Sequence, residues 1–451
     1  MAASPSIDYA WRKLRDTEAR VAEHLVGLIS EHYGEKFVEA AWRDFTFGKS
    51  VPQTEKLLEF ETIFLPWLLF NWIPRREKSR TGKSDFPDRP IALKLLKQDP
   101  SRFNVLETRF IEAASASPYS FFAVNETVPG ESVTLRDVFL NEVVIVKERE
   151  ASRRVQKGDV LFTRILSLDG TSIMLGCAPL LIPPRSIFRL FDTRDSIVKE
   201  IGPLSREKLH AVDPTLRRLY RFFLEEKINP SIPRLTNTDG DPFLSIKLHY
   251  ELKCDPEAAV EKLRSLALFE HGVDRNGNEI SIDWHGKGNK MHKGWDNTLL
   301  GTLRMRGRRL TVEVNSEKRS KKIQAEIAKR LGDLAVLKGS SLKSPEKMLR
   351  EGMAGARKKE SIPERSPDLN DLPEVQAKLK EMAQEHWRRW PDEKIPILGN
   401  QTPRQAAKTV QGRERLEALL TEFEWHSTDA RNGKNSCAAP DIAALRKDLG
   451  L

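Results

Sequence analysis

The sequence predicts a multidomain α+β protein with a helical N-terminal region, a small β-barrel-like module, a mixed α+β sandwich domain and a helical C-terminal tail. The chain has 451 residues, which exceeds the ~250–300 residues at which one hydrophobic core stops growing. The spacing of apolar residues changes from 3.6 to 2 after Pro118, and helical spacing returns after Pro184. A stretch rich in Lys, Ser, Pro, Glu and Gly then precedes a last helical segment.

The predicted helical domain covers residues 1–117. Apolar residues recur at helical spacing from Ile7 to about Ile29, and the region around Pro66 is apolar on every side, which predicts a buried core. The longest apolar run, Ile63 to Ile73, is shorter than the ~18 residues needed to cross a bilayer. The N-terminus has no basic segment followed by an apolar core. We therefore expect a cytoplasmic protein without a membrane span.

Residues 118–184 are predicted to form the small β-barrel-like module, because short strands alternate with turn residues there. Small barrels often bind oligonucleotides, but no regular aromatic series marks a stacking face in this one. Residues 185–229 are predicted to be a helical connection.

Residues 230–338 are predicted to form the α+β domain, with helices on one face of its sheet. Its clearest segment is a β-hairpin, in which apolar residues alternate on both sides of the turn Arg306-Gly307-Arg308. Asn315 or Ser316 caps the next helix, Gly332 ends it, and a strand follows from Leu334 to Leu337. Residues 339–371 are predicted to be a flexible linker, and residues 372–451 a helical C-terminal module.

The positive charge of the chain suggests an acidic partner. The net charge is +10 and the pI is about 9.3, and clustered Lys and Arg release counterions from phosphate backbones. The basic α+β domain supplies the candidate nucleic-acid contacts, which lie in a loop, a hairpin turn and the first turns of a helix: Lys287, Lys290, Lys293, Arg306, Arg308, Lys318, Arg319, Lys321 and Lys322. An anion at the N-terminus of the helix, paired with Arg319, would offset its unfavourable cations. The alternative is a solvated basic face.

Asp239, Asp241 and His249 form the only tight grouping of carboxylates and imidazole in the sequence. Two carboxylates at this spacing can share a divalent cation. An Asx turn explains the same residues without any ligand. Strand alternation also places His249 with Lys247, on the face opposite Leu248.

The three cysteines are far apart, and no nucleotide-binding, metalloprotease or serine-hydrolase pattern occurs. The sequence therefore predicts free thiols, no metal site and no cofactor.

The tail resembles the C-terminal toxin-binding domain of the MbcA/ParS/Xre antitoxins. That family has a Leu-Gly-Gly-x-Thr/Ser-Pro turn entering a helix, then a glycine and a second helix; this chain has Leu398-Gly399-Asn400-Gln401-Thr402-Pro403, then Ala406, Gly412 and Leu419-Leu420, with Trp390 and Pro396 before the turn. Asn400 replaces the second glycine. The resemblance implies a protein partner that contacts Trp390, Leu398, Gly399, Thr402, Pro403, Leu416 and Leu420.

Taken whole, the chain resembles uncharacterised bacterial proteins labelled SEC-C. The resemblance lies in the core from Pro66 to Trp72, the Lys157-Gly158-Asp159 turn, the Val314-Asn315-Ser316 junction and the end from Leu445 to Leu451. Such proteins carry a Cys-rich or Cys-His zinc motif that this sequence lacks, and the family has no known reaction.

Three functions follow as hypotheses. The first is a non-catalytic binding protein that contacts nucleic acid or a ribonucleoprotein through the basic α+β domain. The second is a protein–protein adaptor or antitoxin-like module that acts through the C-terminal helices. The third is a metal-dependent phosphodiesterase or nuclease centred on Asp239, Asp241 and His249.

Overall fold

The computed structural model describes residues 5–48, 58–74, 87–228, 234–267, 272–286, 288, 298–348, 351, 373–428 and 440–451. The chain forms two compact units, and the α+β multidomain prediction is confirmed. The first unit contains Met1–Ile228 and Pro367–Leu451, and the second contains Asn229–Ser366. The predicted helical domain, barrel module, helical connection and C-terminal module therefore belong to one unit, and the predicted α+β domain belongs to the other.

The first unit has helices before and after its barrel module. Those before it are α1 (Pro5–His32), α2 (Glu35–Phe45), α3 (Leu58–Phe70), α4 (Ile91–Gln98) and α5 (Val105–Ala116). Asn104 and Glu107 form a capping box at the start of α5. Buried residues of these helices share one hydrophobic core with the barrel and the C-terminal helices. The apolar region around Pro66 is buried in this core, as the sequence predicts.

The barrel module is a five-stranded antiparallel sheet in the order β3-β2-β1-β4-β5. Its elements are β1 (Tyr119–Val128), β2 (Ser132–Asp137), β3 (Val143–Lys147), the short helix α6 (Ala151–Arg154), β4 (Val160–Leu168) and β5 (Thr171–Met174). The end strands β3 and β5 approach each other, so the sheet nearly closes. Strand β2 is not evident in the sequence, because only Val133 and Leu135 are apolar on its buried face. Helices α7 (Ile187–Ile201), α8 (Arg206–Ala211) and α9 (Asp213–Ile228) follow.

Arg164 of β4 is completely buried where the barrel meets α3 and α5. Its guanidinium donates to the carbonyl oxygen of Ser117, from Nε at 3.0 Å, and to that of Pro66, at 3.2 Å. The guanidinium also lies 5.1 Å from the centre of the Tyr119 ring. Burial lowers the pKa of Arg164 to about 10, so the side chain remains charged at neutral pH.

The second unit is a six-stranded antiparallel sheet in the order β11-β6-β10-β9-β8-β7. Its elements are β6 (Ser245–Leu252), α10 (Pro256–Leu263), β7 (Val273–Asn276), β8 (Glu279–Gly286), β9 (Thr298–Arg306), β10 (Arg309–Val314), α11 (Glu317–Leu331) and β11 (Ala335–Lys343). Alternate residues of the inner strands pack with α10 and α11 in one core. The predicted hairpin is confirmed: Arg306 pairs with Arg309, and Gly307 in the turn has a φ of +56°.

Strand β11 is longer than the sequence predicts. It continues past Leu337 to Lys343 across a bulge before Gly339, and it pairs with β6 throughout. The linker predicted from residue 339 therefore begins inside a strand, which corrects this boundary. The sequence does not show this extension, because the Gly, Ser and Lys side chains of this edge strand lack the alternation of a half-buried strand. Backbone hydrogen bonds to β6 hold it instead.

The C-terminal helices are α12 (Pro373–Arg389), α13 (Pro403–Ala406), α14 (Val410–Thr428) and α15 (Ile442–Leu449). Thr402 caps α13, with Pro403 at its first position and Gln405 completing a capping box. Within the described ranges, no helix combines the length and apolar character that a membrane span needs.

Candidate functional site

One end of the second unit's sheet brings the start of α11 together with the ends of β8 and β9. The hydroxyl of Ser316 accepts a hydrogen bond from the backbone N–H of Arg319 at 3.2 Å and caps the helix. Gly286, the last residue of β8, pairs with Thr298, the first residue of β9. The loop between them therefore leaves the sheet at this end. Its candidate residues Lys287, Lys290 and Lys293 lie outside the described residues.

Arg319 does not face solvent, which corrects its prediction as a nucleic-acid contact and anion partner. The residue is 3% exposed. Its guanidinium donates to Asp239 Oδ2 at 2.8 Å, to Thr238 Oγ1 at 2.8 Å and to the carbonyl oxygen of Leu299 at 3.2 Å. Residue type alone does not distinguish a buried cation from an exposed one within a basic run, because the position of the residue on the helix decides which of them is buried. Arg319 therefore ties α11 to the turn before β6.

Lys318 is also paired within the unit. Its Nζ lies 2.5 Å from Asp241 Oδ1, and this hydrogen bond and charge raise the pKa of Lys318. The Asx-turn interpretation of the acidic turn is supported, because Asn237 Oδ1 accepts from the backbone N–H groups of Asp239 at 3.0 Å and Asp241 at 2.9 Å. The two carboxylates thus bind a helix of the same unit.

The structure does not favour a metal site at Asp239, Asp241 and His249. His249 is exposed and lies with Lys247 on the face of β6 opposite the core, as strand alternation predicts. Asp241 instead binds α11, which packs on the core side of the sheet. In the part of the chain that the structure describes, no group of three metal-ligating side chains occurs. Sequence proximity suggested the grouping, but the alternation of the strand separates its members.

Lys321 and Lys322, like Lys318, are exposed in the first turns of α11. Neither forms an ion pair with a described carboxylate, and Lys322 Nζ lies 5.8 Å from the centre of the Trp284 ring. Arg306 and Arg308 are exposed too, but they lie at the opposite end of β9 and β10. The five residue steps of β10 from Arg309 to Val314 alone span about 17 Å. The predicted contacts therefore do not form one surface.

The charge of the chain is concentrated in the second unit. Residues 229–366 contain 27 Lys and Arg against 19 Asp and Glu, a net charge of +8 out of the chain's +10. The first unit is larger but carries only the remaining +2. A polyanion would therefore be attracted mainly to the second unit.

In the tail, the residues predicted to contact a partner are largely internal. Trp390, Leu398, Leu416 and Leu420 are 5% exposed or less and belong to the core of the first unit, while Pro403 is also buried. These residues stabilise the tail and are not free to bind a partner, which corrects their predicted role. The predicted set also includes Gly399, which is exposed, and Thr402, which is half-buried and caps α13.

Backbone geometry explains the residues found at Gly399-Asn400 and at Gly412 of the antitoxin-like motif. Gly399 and Asn400 have φ angles of +71° and +60°, a conformation that glycine adopts freely and asparagine tolerates better than other residues. A Cβ on Gly412 would lie 2.2 Å from the carbonyl oxygen of Ala406, so this position requires glycine. The resemblance to the antitoxin domain remains a prediction.

Polar contacts that the sequence does not predict hold the tail on the barrel module and on α7. Glu414 of α14 accepts from Arg136 at 2.9 Å and from Arg194 at 2.6 Å. Trp425 donates to Asp159 at 2.8 Å. These partners are more than 200 residues apart in the chain, and neither spacing nor composition signals them.

Comparison with known proteins covers part of the first unit. Residues 91–202 match the model of a family of unknown function (DUF7986). The matched segment runs from α4 through the whole barrel module to the end of α7. No curated protein and no solved structure matches the chain significantly.

Proposed function

We propose that this protein binds nucleic acid, alone or in a ribonucleoprotein, at the end of the second unit where α11 begins. The observation that carries the proposal is the charge of this unit, +8 within residues 229–366. Lys321 and Lys322 supply exposed cations there that form no ion pair with a described carboxylate, and the sequence between β8 and β9 adds Lys287, Lys290 and Lys293. Phosphate contacts of this kind give affinity without sequence specificity.

The proposed role is binding without catalysis. Asp239 and Asp241, the carboxylates that a nuclease would use, are each bound to a cation of α11. A cytoplasmic location belongs to the same proposal. It is supported by the free thiols of Cys177 and Cys254.

The proposal is tested by fluorescence anisotropy with labelled RNA and duplex DNA over a series of salt concentrations. The variant Lys321→Glu/Lys322→Glu is expected to weaken binding and to reduce the magnitude of the slope of log K against log salt by about 2. Arg308→Glu/Arg309→Glu is the matched control, because it makes the same charge change at the other end of the sheet. Equal weakening by both variants contradicts the assigned location. Absence of binding, or affinity independent of salt, contradicts the function.

A second candidate is a protein partner of the C-terminal helices. It is favoured by a groove of about 510 Å³ lined by residues of α12 and α15, among them Ala383 and Leu445. On α12, Leu379 and Met382 are also 38% and 61% exposed. Residues three apart share one helix face, so Leu379→Lys/Met382→Lys is expected to abolish co-purification of a partner with the full chain. A partner retained by this variant excludes that face.

A further inference from the structure

The acidic turn from Asn237 to Asp241 places a carboxylate of the chain itself at the start of α11. Asp241 Oδ1 accepts from Lys318 Nζ at 2.5 Å, and Asp241 Oδ2 lies 3.5 Å from the hydroxyl of Ser316, the residue that caps the helix. A carboxylate at this position is favourable, because the free N–H groups of a helix N-terminus carry partial positive charge. The sequence suggests an external anion at this helix start, and the structure shows an internal one.

Hydrogen bonds within the turn hold this carboxylate in place. The backbone N–H of Asn237 donates to the carbonyl oxygen of Asp241 at 2.9 Å, and Asn237 Oδ1 accepts from the backbone N–H of Asp241 at 2.9 Å. The backbone N–H of Leu244, after the turn, donates to the carbonyl oxygen of Asn315, before the helix cap, at 3.0 Å. Asp241 therefore stays at the helix start whether or not a cation is bound to it.

The two cations bound to the turn differ in how firmly they are held. The Arg319 side chain is 4% exposed and also donates to Thr238 and to the carbonyl oxygen of Leu299. The Lys318 side chain is 77% exposed, and within the described residues its Nζ forms one ion pair, with Asp241. Such an exposed ion pair is weak, because water and salt screen it. Lys318 can therefore leave Asp241 for another anion, whereas Arg319 is part of the fold.

Lys318 lies on the same helix face as the two lysines of the proposed nucleic-acid site. Lys321 and Lys322 follow it at the i+3 and i+4 positions, where side chains are neighbours on a helix surface, and all three are exposed. Neighbouring cations repel one another, and Asp241 offsets this repulsion while no polyanion is bound. A phosphate backbone that contacts Lys321 and Lys322 also comes within reach of Lys318.

We propose that Asp241 regulates the nucleic-acid site by competing with phosphate for Lys318. The inference rests on the proposed function and concerns the same site. In the free protein Lys318 is paired with Asp241, and in the complex its Nζ turns to a phosphate oxygen while Asp241 takes up a cation from solution. Binding then adds one phosphate contact and breaks one internal ion pair. The acidic turn therefore limits the affinity of the site for polyanions.

Fluorescence anisotropy with labelled duplex DNA and labelled poly(U) RNA over a series of salt concentrations tests the proposal. Asp241→Asn is expected to strengthen binding about three- to fivefold and to increase the magnitude of the slope of log K against log salt by up to about 1, because Lys318 no longer has to leave a carboxylate. Glu317→Gln is the matched control. It makes the same charge change on the residue next to Lys318, and Glu317 is exposed and forms no ion pair with a described cation.

The control should strengthen binding by less than about twofold. An equal increase from Asp241→Asn and Glu317→Gln overturns the proposal, since removal of any nearby negative charge would then suffice. A double-mutant cycle tests the pair directly. In the Lys318→Met background, Asp241→Asn should change affinity by less than about twofold, because the competition needs both side chains. An increase that persists without Lys318 overturns the proposal.

Lys318→Met by itself tests the proposal without altering the buried carboxylate, and so covers the case in which Asp241→Asn does not fold. It should weaken binding, but less than Lys321→Met does, since only Lys318 must first leave Asp241. Equal losses, or no loss from Lys318→Met, overturn the proposal. Salt-dependent binding by the wild type with the same affinity in a folded Asp241→Asn variant overturns this inference alone. Failure of the wild type to bind either nucleic acid overturns the proposed function, and this inference with it.

Discussion

Arg164 of the first unit and Arg319 of the second unit are both buried, and they are stabilised in different ways. Arg319 in the second unit is paired with the carboxylate of Asp239 at 2.8 Å. Arg164 in the first unit is hydrogen bonded to backbone carbonyl oxygens and stacked near aromatic rings, and no ion pair links it to a described carboxylate. A buried cation therefore does not need an acid beside it when backbone dipoles surround it. What matters is whether each N–H and each carbonyl has a partner.

The largest effect is expected from Arg164→Met. The substitution leaves the carbonyl oxygens of Ser117 and Pro66 buried without a donor, and should destabilise the first unit by about 3–5 kcal/mol. Hydrogen exchange measured by mass spectrometry reports on the two units separately. Exchange should accelerate in α3, α5 and the barrel module, and not in the second unit. Arg164→Lys keeps the charge but only part of the hydrogen bonding, so its stability should lie between those of the wild type and Arg164→Met. A fully stable Arg164→Met would show that the arginine is dispensable to the fold.

Arg319→Met is expected to have a smaller effect, about 2–3 kcal/mol in the second unit. The Asp239 side chain is 30% exposed, so water can replace the lost guanidinium there. The same hydrogen-exchange experiment should show faster exchange in α11 and in the turn before β6. Asp239→Asn is the control, since an amide oxygen still accepts from Arg319. A larger loss of stability from Arg319→Met than from Arg164→Met would contradict this order. It would mean that losing a donor to a partly solvated carboxylate is more destabilising than losing a donor to buried carbonyl oxygens.

A third prediction concerns Glu414, which joins the tail to the barrel module. Burial raises the pKa of Glu414, but hydrogen bonds and charge from Arg194 and Arg136 outweigh burial, and the pKa falls below its usual value of 4.5. The carboxylate therefore contributes stability at pH values above 4.5, and this contribution is lost as the pH falls through the lower pKa of the folded state.

Glu414→Gln should lower the stability of the tail by about 1–2 kcal/mol at neutral pH. Thermal unfolding of wild type and variant between about pH 7 and pH 3 should give curves that converge at the acid end. Glu393→Gln is the control, because Glu393 is exposed and no ion pair involves it among the described residues. A difference between wild type and Glu414→Gln that stays constant with pH would mean that charge is not what holds the tail.

The sequence predicts most of the local structure and little of how charged residues are used. Alternation and caps are local signals, so the sequence predicts the hairpin before α11 and the cap at Ser316. Strand β11 could not be bounded, because an edge strand is held by backbone hydrogen bonds. Of the basic run in α11, only the position on the helix separates buried Arg319 from exposed Lys321.

Candidate sites are harder to predict, because they depend on contacts distant in sequence. Asn71, after α3, lies in hydrogen-bond contact with His210 of α8, although the two are 139 residues apart. The sequence marks the acidic turn as a metal candidate and its partners Lys318 and Arg319 as nucleic-acid contacts, whereas the structure pairs them with each other. Each group in fact neutralises the other. The opposite charges of the acidic turn and of the first turn of α11 are the feature of the sequence that indicates this pairing.

The smallest expected effect involves a position without charge, the turn before α13. Asn400 has a φ of +60°, which costs a residue with a Cβ about 1–2 kcal/mol unless its side chain bonds locally. Asn400→Gly removes the strain but increases the entropy of the unfolded chain, so its net effect on the free energy of unfolding should be within about 0.5 kcal/mol. Asn400→Ala keeps the strain without the amide and should destabilise the tail by about 1 kcal/mol. Urea unfolding followed by tryptophan fluorescence measures both, because Trp387 and Trp390 lie beside Phe423 of α14. If alanine proves as stable as glycine, backbone conformation is not what selects the residue at this turn, and the glycine of the antitoxin pattern would need another explanation.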